Sequence, residues 1–290
     1  MPTSPYRDIH VVINPASGGN APILNTLSDV FAQHGVNWDV SITHTAGDAT
    51  RLAEEAVKKG ADLVAGYGGD GTQMEVVAGL RGTGVPLGLL PGGTGNAMAF
   101  ELGIPRDLRA ATELLCQSSK TTLLDLAEAA GNTFMLRAYT GPKPEYVASR
   151  EEKDRLGILA YPLATLRVLK NLEPTIYRLS IDGKETFEAS GLSCFVFNAG
   201  ASGGIPMSLP EVSACDGLLD VYIINDKPPS TPELIGHLFG NHEGHYNHWR
   251  CSSVSIETES PETLWLDGEV KGTTPCTIRV HPQAIRVVTP

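Results

Sequence analysis

Three glycine-rich turns in the first hundred residues, each placed just after a short apolar run, limit what this chain can fold into. Asn14–Pro15–Ala16–Ser17–Gly18–Gly19 follows His10–Ile13, Gly68–Gly69–Asp70–Gly71–Thr72 follows Asp62–Ala65, and Pro91–Gly92–Gly93–Thr94–Gly95–Asn96 follows Val85–Leu90. Strands apolar along their whole length are buried on both faces, and such strands form parallel sheets covered by helices. The intervening segments supply those helices. Ile23 to Phe31 is apolar-periodic, Asp48 to Lys59 places Ala53, Ala56 and Val57 on one face, and Met74, Val76, Val77 and Leu80 continue the pattern after the second turn. Trp38 to Ile42 reads as a further strand. Residues 1–124 are therefore expected to form an α/β domain, three layers built on a parallel, doubly wound sheet.

From Thr121 the rhythm changes. Thr122–Leu126, Phe134–Ala138, Thr175–Ile181, Ser193–Asn198, Leu218–Ile224, Val254–Glu257, Leu264–Leu266 and Thr277–Val280 read as strands. Two helices interrupt them, Leu156 to Lys170 and a shorter one near Pro232 to Phe239. Many strands with few helices predict an antiparallel β-sandwich or barrel over residues 125–290, with the last strand free to pack back on the first domain.

Composition narrows the function. A formal net charge of −11 argues against a nucleic-acid partner, because phosphate backbones select basic surfaces. It also disfavours tight adhesion to anionic membranes. Five scattered cysteines form no CxxC pair, which disfavours both a disulfide framework and a zinc site. No apolar run approaches the roughly 18 residues of a membrane span. Met1 to His10 is polar and lacks a signal-type apolar core, so a cytoplasmic location is expected.

The turns carry the chemistry. Consecutive glycines let backbone amides approach a phosphate, and the helix that follows Gly68–Thr72 offers its N-terminus to an anion. Asp70 can hold Mg²⁺ or a bridging water, and the Thr72 hydroxyl can bond phosphate or cap the helix. Each turn taken alone is equally a structural strand–helix connection. In an open parallel sheet, however, turns at neighbouring carboxyl ends face one crevice. No glycine turn runs on into Lys–Ser or Lys–Thr, and GxGxxG is missing from the first turn, so neither the P-loop nor the dinucleotide fingerprint applies.

The ordered set NPASGG, GGDGT and PGGTGN resembles the catalytic domain of diacylglycerol, sphingoid and related bacterial lipid kinases. The resemblance continues through Leu124–Asp125–Leu126, Lys153–Gly157 with Ala160–Tyr161, Asn198–Gly200 with Gly203–Gly204, Asp216–Val221 and Leu266–Glu269. It implies a diacylglycerol kinase-like and NAD kinase-like fold, with ATP as co-substrate and Mg²⁺ as cofactor. The phosphates would be surrounded by Gly68, Gly69, Asp70, Gly71 and Thr72, with Asn14, Ser17, Gly93, Thr94, Asn96 and Glu269 also toward the nucleotide and Thr43 near its ribose or base. Asp216, with the carbonyls of Ser213 and Leu218, would bind a structural Mg²⁺. Asp267 would be the general base, with Asp70 as the second catalytic residue. The acceptor would be a lipid met transiently at a membrane surface, and a homodimer is compatible with the pattern.

Three positions depart from the family's usual pattern: Ala97 stands where Asp is common, Gly19 where a basic residue is common, and Gly141–Glu145 replaces a glycine- and phenylalanine-rich stretch. Two other readings stay open, a kinase of another small hydroxylated molecule such as NAD, and a non-catalytic nucleotide-binding relative. His237, His242, His245 and His248 show no HExxH spacing and read as a solvated loop. Arg150 to Arg155 reads as a solvated helix start, and Ile158, Leu159, Leu163, Leu166 and Leu169 as a core stripe.

Overall fold

The computed structural model describes residues 4–18, 22–141, 173–200, 212–226 and 246–290. Two compact units divide the chain: Met1–Leu126, Ala199–Gly217 and His281–Pro290 form the first, and Ala127–Asn198 and Leu218–Val280 the second.

Unit 1 contains strands β1 (Asp8–Ile13), β2 (Asn37–Ile42), β3 (Leu63–Gly68) and β4 (Leu87–Pro91). Its helices are α1 (Ile23–His34), α2 (Asp48–Lys58), α3 (Asp70–Leu80), the short α4 (Ala97–Glu101) and α5 (Leu108–Gln117). The strands are parallel in the order β2-β1-β3-β4, and Val287 from the end of the chain pairs with Leu87 beyond β4. Every residue of β3 and β4 is buried, which their unbroken apolar runs anticipated. Helices α1 and α5 pack together, as do α2 and α3. Right-handed crossovers put the first pair on one face of the sheet and the second on the other. The buried residues of α2, Ala49, Leu52, Ala53 and Ala56, repeat at one-turn spacing, and α1 buries Leu27, Val30 and Phe31 likewise.

Strand β3 runs three residues further than its apolar run, into Gly68. The reason is steric. A Cβ at Gly66 would lie 2.5 Å from Gln73 Oε1, and one at Gly68 would lie 2.5 Å from Thr72 Cβ. Only glycine at these alternate positions lets α3 settle on the end of the strand.

Unit 2 is a β-sandwich of antiparallel strands: β5 (Thr121–Ala129, begun in unit 1), β6 (Asn132–Phe134), β7 (Arg137–Thr140), β8 (Thr175–Ile181), β9 (Glu185–Phe197), β10 (Leu219–Asn225), β11 (Tyr246–Cys251), β12 (Ser253–Thr258), β13 (Thr263–Leu266), β14 (Glu269–Thr273) and the first part of β15 (Cys276–Val288). Strand β9 pairs with three others. Its first half pairs with β8, its second half with β7, and β10 lies along its other edge. Pairing with β8 ends at Gly191, where a side chain would collide with Ile223 and the pairing with β10 shifts register. Ala127, Tyr177, Val196, Val221, Val254, Leu264 and Ile278 are among the residues that fill the core.

Two expectations are corrected here. Phe134–Ala138 is not one strand: β6 ends at Phe134 and β7 begins at Arg137. The amides of Met135, Leu136 and Arg137 turn instead to the Asp267 carboxylate. His248 is not in a solvated loop; it lies on β11, 2.7 Å from the fully buried Asp220 and stacked on Tyr222. Arg250 also reaches Asp220, at 3.2 Å. Lys153–Gly157, Ala160–Tyr161, the helices Leu156–Lys170 and Pro232–Phe239, Gly19, Pro142–Glu145, Arg150–Arg155, the stripe from Ile158 to Leu169, Gly203–Gly204, His237, His242 and His245 lie outside the described residues.

Candidate functional site

In an open sheet of order β2-β1-β3-β4 the chain reverses direction between β1 and β3, and ligands bind outside the carboxyl ends of strands at such a switch point. The first and second glycine turns leave the sheet there. They line a cavity of about 500 Å³ with Asn14, Pro15, Ala16, Ser17, Thr43, His44, Thr45, Ala46, Ala49, Gly69, Gly71, Thr72 and Glu75. Six predicted residues, Asn14, Ser17, Thr43, Gly69, Gly71 and Thr72, thus share one cavity.

The cavity suits an anion. The first intrahelical bond of α3 runs from Gln73 N–H to Gly69 O, so the amides of Asp70, Gly71 and Thr72 precede the helical ladder. Gly69 caps the helix without a side-chain bond, leaving those donors and the helix dipole to a ligand. Asn14 fixes the neighbouring hydroxyl. Its Nδ2 donates to Thr72 Oγ1 at 3.0 Å, while its Oδ1 accepts the Ala16 amide at 3.0 Å. With its oxygen accepting from Asn14, the Thr72 hydroxyl has its own proton left to donate. Opposite, Asp48 Oδ2 accepts the amides of His44 and Thr45 and shapes that wall. Those amides and Arg51 hold its carboxyl well below the usual range.

The third turn packs on the second. A Cβ at Gly93 would collide with Gly69 Cα, so the two backbones touch only because position 93 lacks a side chain. Asn96 locks the turn from within, accepting the Gly93 amide at 2.9 Å and donating to Gly93 O at 2.7 Å, from the left-handed conformation at φ 49°. Asp70 joins the turns, since its Oδ1 accepts the Met98 amide at 3.3 Å and a Cβ at Gly95 would lie 3.1 Å from its Oδ2. Gly68, Asp70, Gly93, Thr94 and Asn96 therefore stand behind or beside the cavity lining. Ala97 is buried at the start of α4.

The other candidates fall elsewhere in the chain. Asp125, 1% exposed, accepts Gly217 N–H at 2.6 Å and Gln283 N–H at 2.8 Å, and its own amide donates to Ala214 O. It thereby anchors the unit 1 loop that carries Ser213 and Asp216; Leu218 opens unit 2. Among the described residues no three His, Cys, Asp or Glu side chains cluster as a metal site. The expected set is of another kind, one carboxylate and two carbonyls, and an all-oxygen set fits a hard cation such as Mg²⁺.

In unit 2, Asp267 takes the left-handed conformation after β13, at φ 46°. Its Oδ1 accepts the Leu136 and Arg137 amides at 3.0 and 2.9 Å, and its Oδ2 the Met135 amide at 2.9 Å. Burial pushes the carboxyl above the usual carboxylate range, against the pull of those amides and Arg137. A carboxylate has about four lone-pair sites, so one on Oδ2 stays open. Glu269 is exposed on β14 and paired with Lys271 at 2.8 Å.

Sequence reading missed His44, Thr45, Ala46, Ala49 and Glu75. Glu75 was within reach, one helical turn beyond Thr72 on α3, and its Oε2 accepts the Ala49 amide at 3.1 Å.

Residues 8–129 match the diacylglycerol kinase catalytic domain, and residues 146–289 the YegS C-terminal NAD kinase beta sandwich-like domain. A diacylglycerol kinase of Bacillus subtilis is 33% identical over 282 residues, spanning 91% of this chain and 90% of that protein. A Pseudomonas aeruginosa protein named "Probable lipid kinase YegS-like" is 36% identical over 259 residues, spanning 87% and 84%. The fold is shared with the crystal structure of a diacylglycerol kinase from Bacillus anthracis, at TM-score 0.78 and 22% identity, covering 99% of this chain and 98% of that one. It is shared more distantly with an Archaeoglobus fulgidus NAD kinase in complex with ATP, at TM-score 0.53 and 12% identity, covering 97% and 93%. Both halves of the sequence and its full-length relatives agree, and the chain belongs to the diacylglycerol kinase and YegS-like lipid kinase family.

Proposed function

We propose that this protein is an ATP-dependent lipid kinase that transfers the γ-phosphate of MgATP to a lipid hydroxyl, with diacylglycerol or a similar lipid as acceptor. One observation carries the reading: the open amides at the N-terminus of α3 and the Asn14-held Thr72 hydroxyl converge on one cavity at the switch point of the sheet. Gly69, Gly71 and Thr72 would contact the phosphates, and Thr43 would lie toward the ribose or base. Asp70 would keep the third turn, with Thr94, against the second.

Phosphoryl transfer needs positioning, neutralisation of phosphate charge and a group that accepts the hydroxyl proton. We assign the last role to Asp267. Its three amide bonds fix the carboxylate, its raised proton affinity strengthens it as a base, and one Oδ2 lone pair is left for a hydroxyl. Asp216 with the Ser213 and Leu218 carbonyls would hold a structural Mg²⁺, which when bound would fix that segment beside the active site. Glu269 is assigned to the nucleotide side on the resemblance alone.

Phosphate transfer from labelled ATP, with Mg²⁺, to micelle-dispersed diacylglycerol, monoacylglycerol, phosphatidylglycerol, sphingosine and ceramide tests this, with NAD as the non-lipid control. Transfer to a lipid identifies the acceptor. Transfer only to NAD, or none despite measured ATP binding, overturns the reading.

A further inference from the structure

Tyr67 has no part in the assignments above, yet it stands among the glycine turns. Strand β3 lies between β1 and β4, and Tyr67 is the residue before its last. A side chain at Gly18 would run into the Tyr67 hydroxyl, and a Cβ at Gly92 would lie 2.9 Å from ring atom Cζ. The first and third turns therefore close on this ring, and each does so with a glycine. The Tyr67 carbonyl meanwhile accepts the Asn14 amide at 2.9 Å, tying the same residue to the residue that holds Thr72.

Tyr67 is 2% exposed, and its hydroxyl has no hydrogen-bond partner among the described residues. Buried tyrosine hydroxyls normally find one. The oxygen lies against Gly18, the residue next to the cavity-lining Ser17. Desolvation raises its pKa, which keeps it an O–H donor near neutral pH.

We propose that Tyr67 is a phosphate-contacting residue, its hydroxyl donating past the first turn to an oxygen of the nucleotide phosphate chain seated in the cavity of the first and second turns. This rests on the nucleotide reading above and adds a donor that no glycine turn supplies. The ring does the complementary work of spacing the first and third turns. The hydroxyl then belongs to ligand binding, and the ring to the fold.

Tyr67→Phe separates the two, since it keeps the ring and removes only the donor. Titration of wild-type and Tyr67→Phe protein with ATP, with inorganic tripolyphosphate as a base-free probe, and thermal melting without ligand are the measurements. The variant is expected to bind both probes roughly tenfold more weakly, the scale of one hydrogen bond to a charged acceptor. Its Tm without ligand should be unchanged or higher, because no bond within the protein is lost. Equal affinity for both probes, or a fall in Tm that accounts for the weaker binding, overturns the proposal. Failure of the wild-type protein to bind ATP overturns the nucleotide reading as well, and the two failures are thereby told apart.

Discussion

Asn14 Nδ2 donates to Thr72 Oγ1 across 3.0 Å, joining turns that lie 58 residues apart in the chain. The bond decides what the threonine can do, because an oxygen that accepts from Asn14 presents its proton elsewhere. If that proton meets phosphate, Thr72→Val should weaken ATP binding about tenfold, and Asn14→Ala somewhat less. The double variant should fall short of the sum, since both changes remove one device. Calorimetric titration of the four proteins measures the coupling, and strict additivity would show that the two side chains act separately.

The Asp267 carboxylate sets its own pH behaviour. Its folded pKa is raised by burial, so the folded state binds a proton more readily than the unfolded chain. It follows that ionising it opposes folding. This group weakens stability as pH rises from the unfolded value of about 3.9 through the folded one, and has no such effect below that window. As a base it must be ionised, so the acid limb of kcat/KM should titrate above the ordinary aspartate range. Asp267→Asn should lower turnover by about 10²–10⁴-fold. It should also lower Tm, because its NH₂ would face an amide donor. Wild-type-like turnover in a folded Asp267→Asn protein would remove it from catalysis.

Gly79 tests which of two opposed effects governs a helix contact. Ala is the better helix former by about 1 kcal/mol. Yet a Cβ at Gly79 would lie 2.5 Å from Thr50 O and 2.9 Å from Ala53 Cβ on α2. Overpacking costs about 1–3 kcal/mol, and here the obstacle is backbone, which yields least. Gly79→Ala should therefore destabilise unit 1, read as a lower urea midpoint at unchanged slope. A raised midpoint would mean that the helices part freely.

Asp125 should govern the loop that carries Asp216. Asp125→Ala leaves the partly buried Gly217 and Gln283 amides without their acceptor. A fully buried orphaned donor costs about 1–3 kcal/mol, and water access at these two sites places the cost at the low end. If Asp216 binds Mg²⁺, this variant should need more Mg²⁺ for half-maximal activity while its KM for ATP at saturating Mg²⁺ changes little. An unchanged Mg²⁺ requirement would separate the loop from the ion.

Much of unit 1 was legible in the chain. The runs His10–Ile13 and Val85–Leu90 are apolar because their strands are buried on both faces, and each glycine turn marks the point where a strand hands over to a loop or helix. The cavity residues Asn14, Ser17, Thr43, Gly69, Gly71 and Thr72 were within reach for the same reason, being next to those breaks. Glu75 follows from Thr72 by one helical turn, but Ala49 was not legible, because a cavity wall made by two helices depends on how the helices meet. The break at Met135–Leu136 was hidden too. Its apolar residues look like strand, and only the Asp267 carboxylate, more than a hundred residues on, turns their amides aside.

The sequence by itself determined where strands end and where backbone can bend, because burial on two faces and the absence of a Cβ are local properties of residue type. It could not determine which turns touch, which carboxylate is consumed by amides and which hydroxyl is left without a partner. Those are questions of distance between residues far apart in the chain. Asp70 against Met98, Asp267 against Met135 and Tyr67 between Gly18 and Gly92 were decided only when the sheet order brought them together.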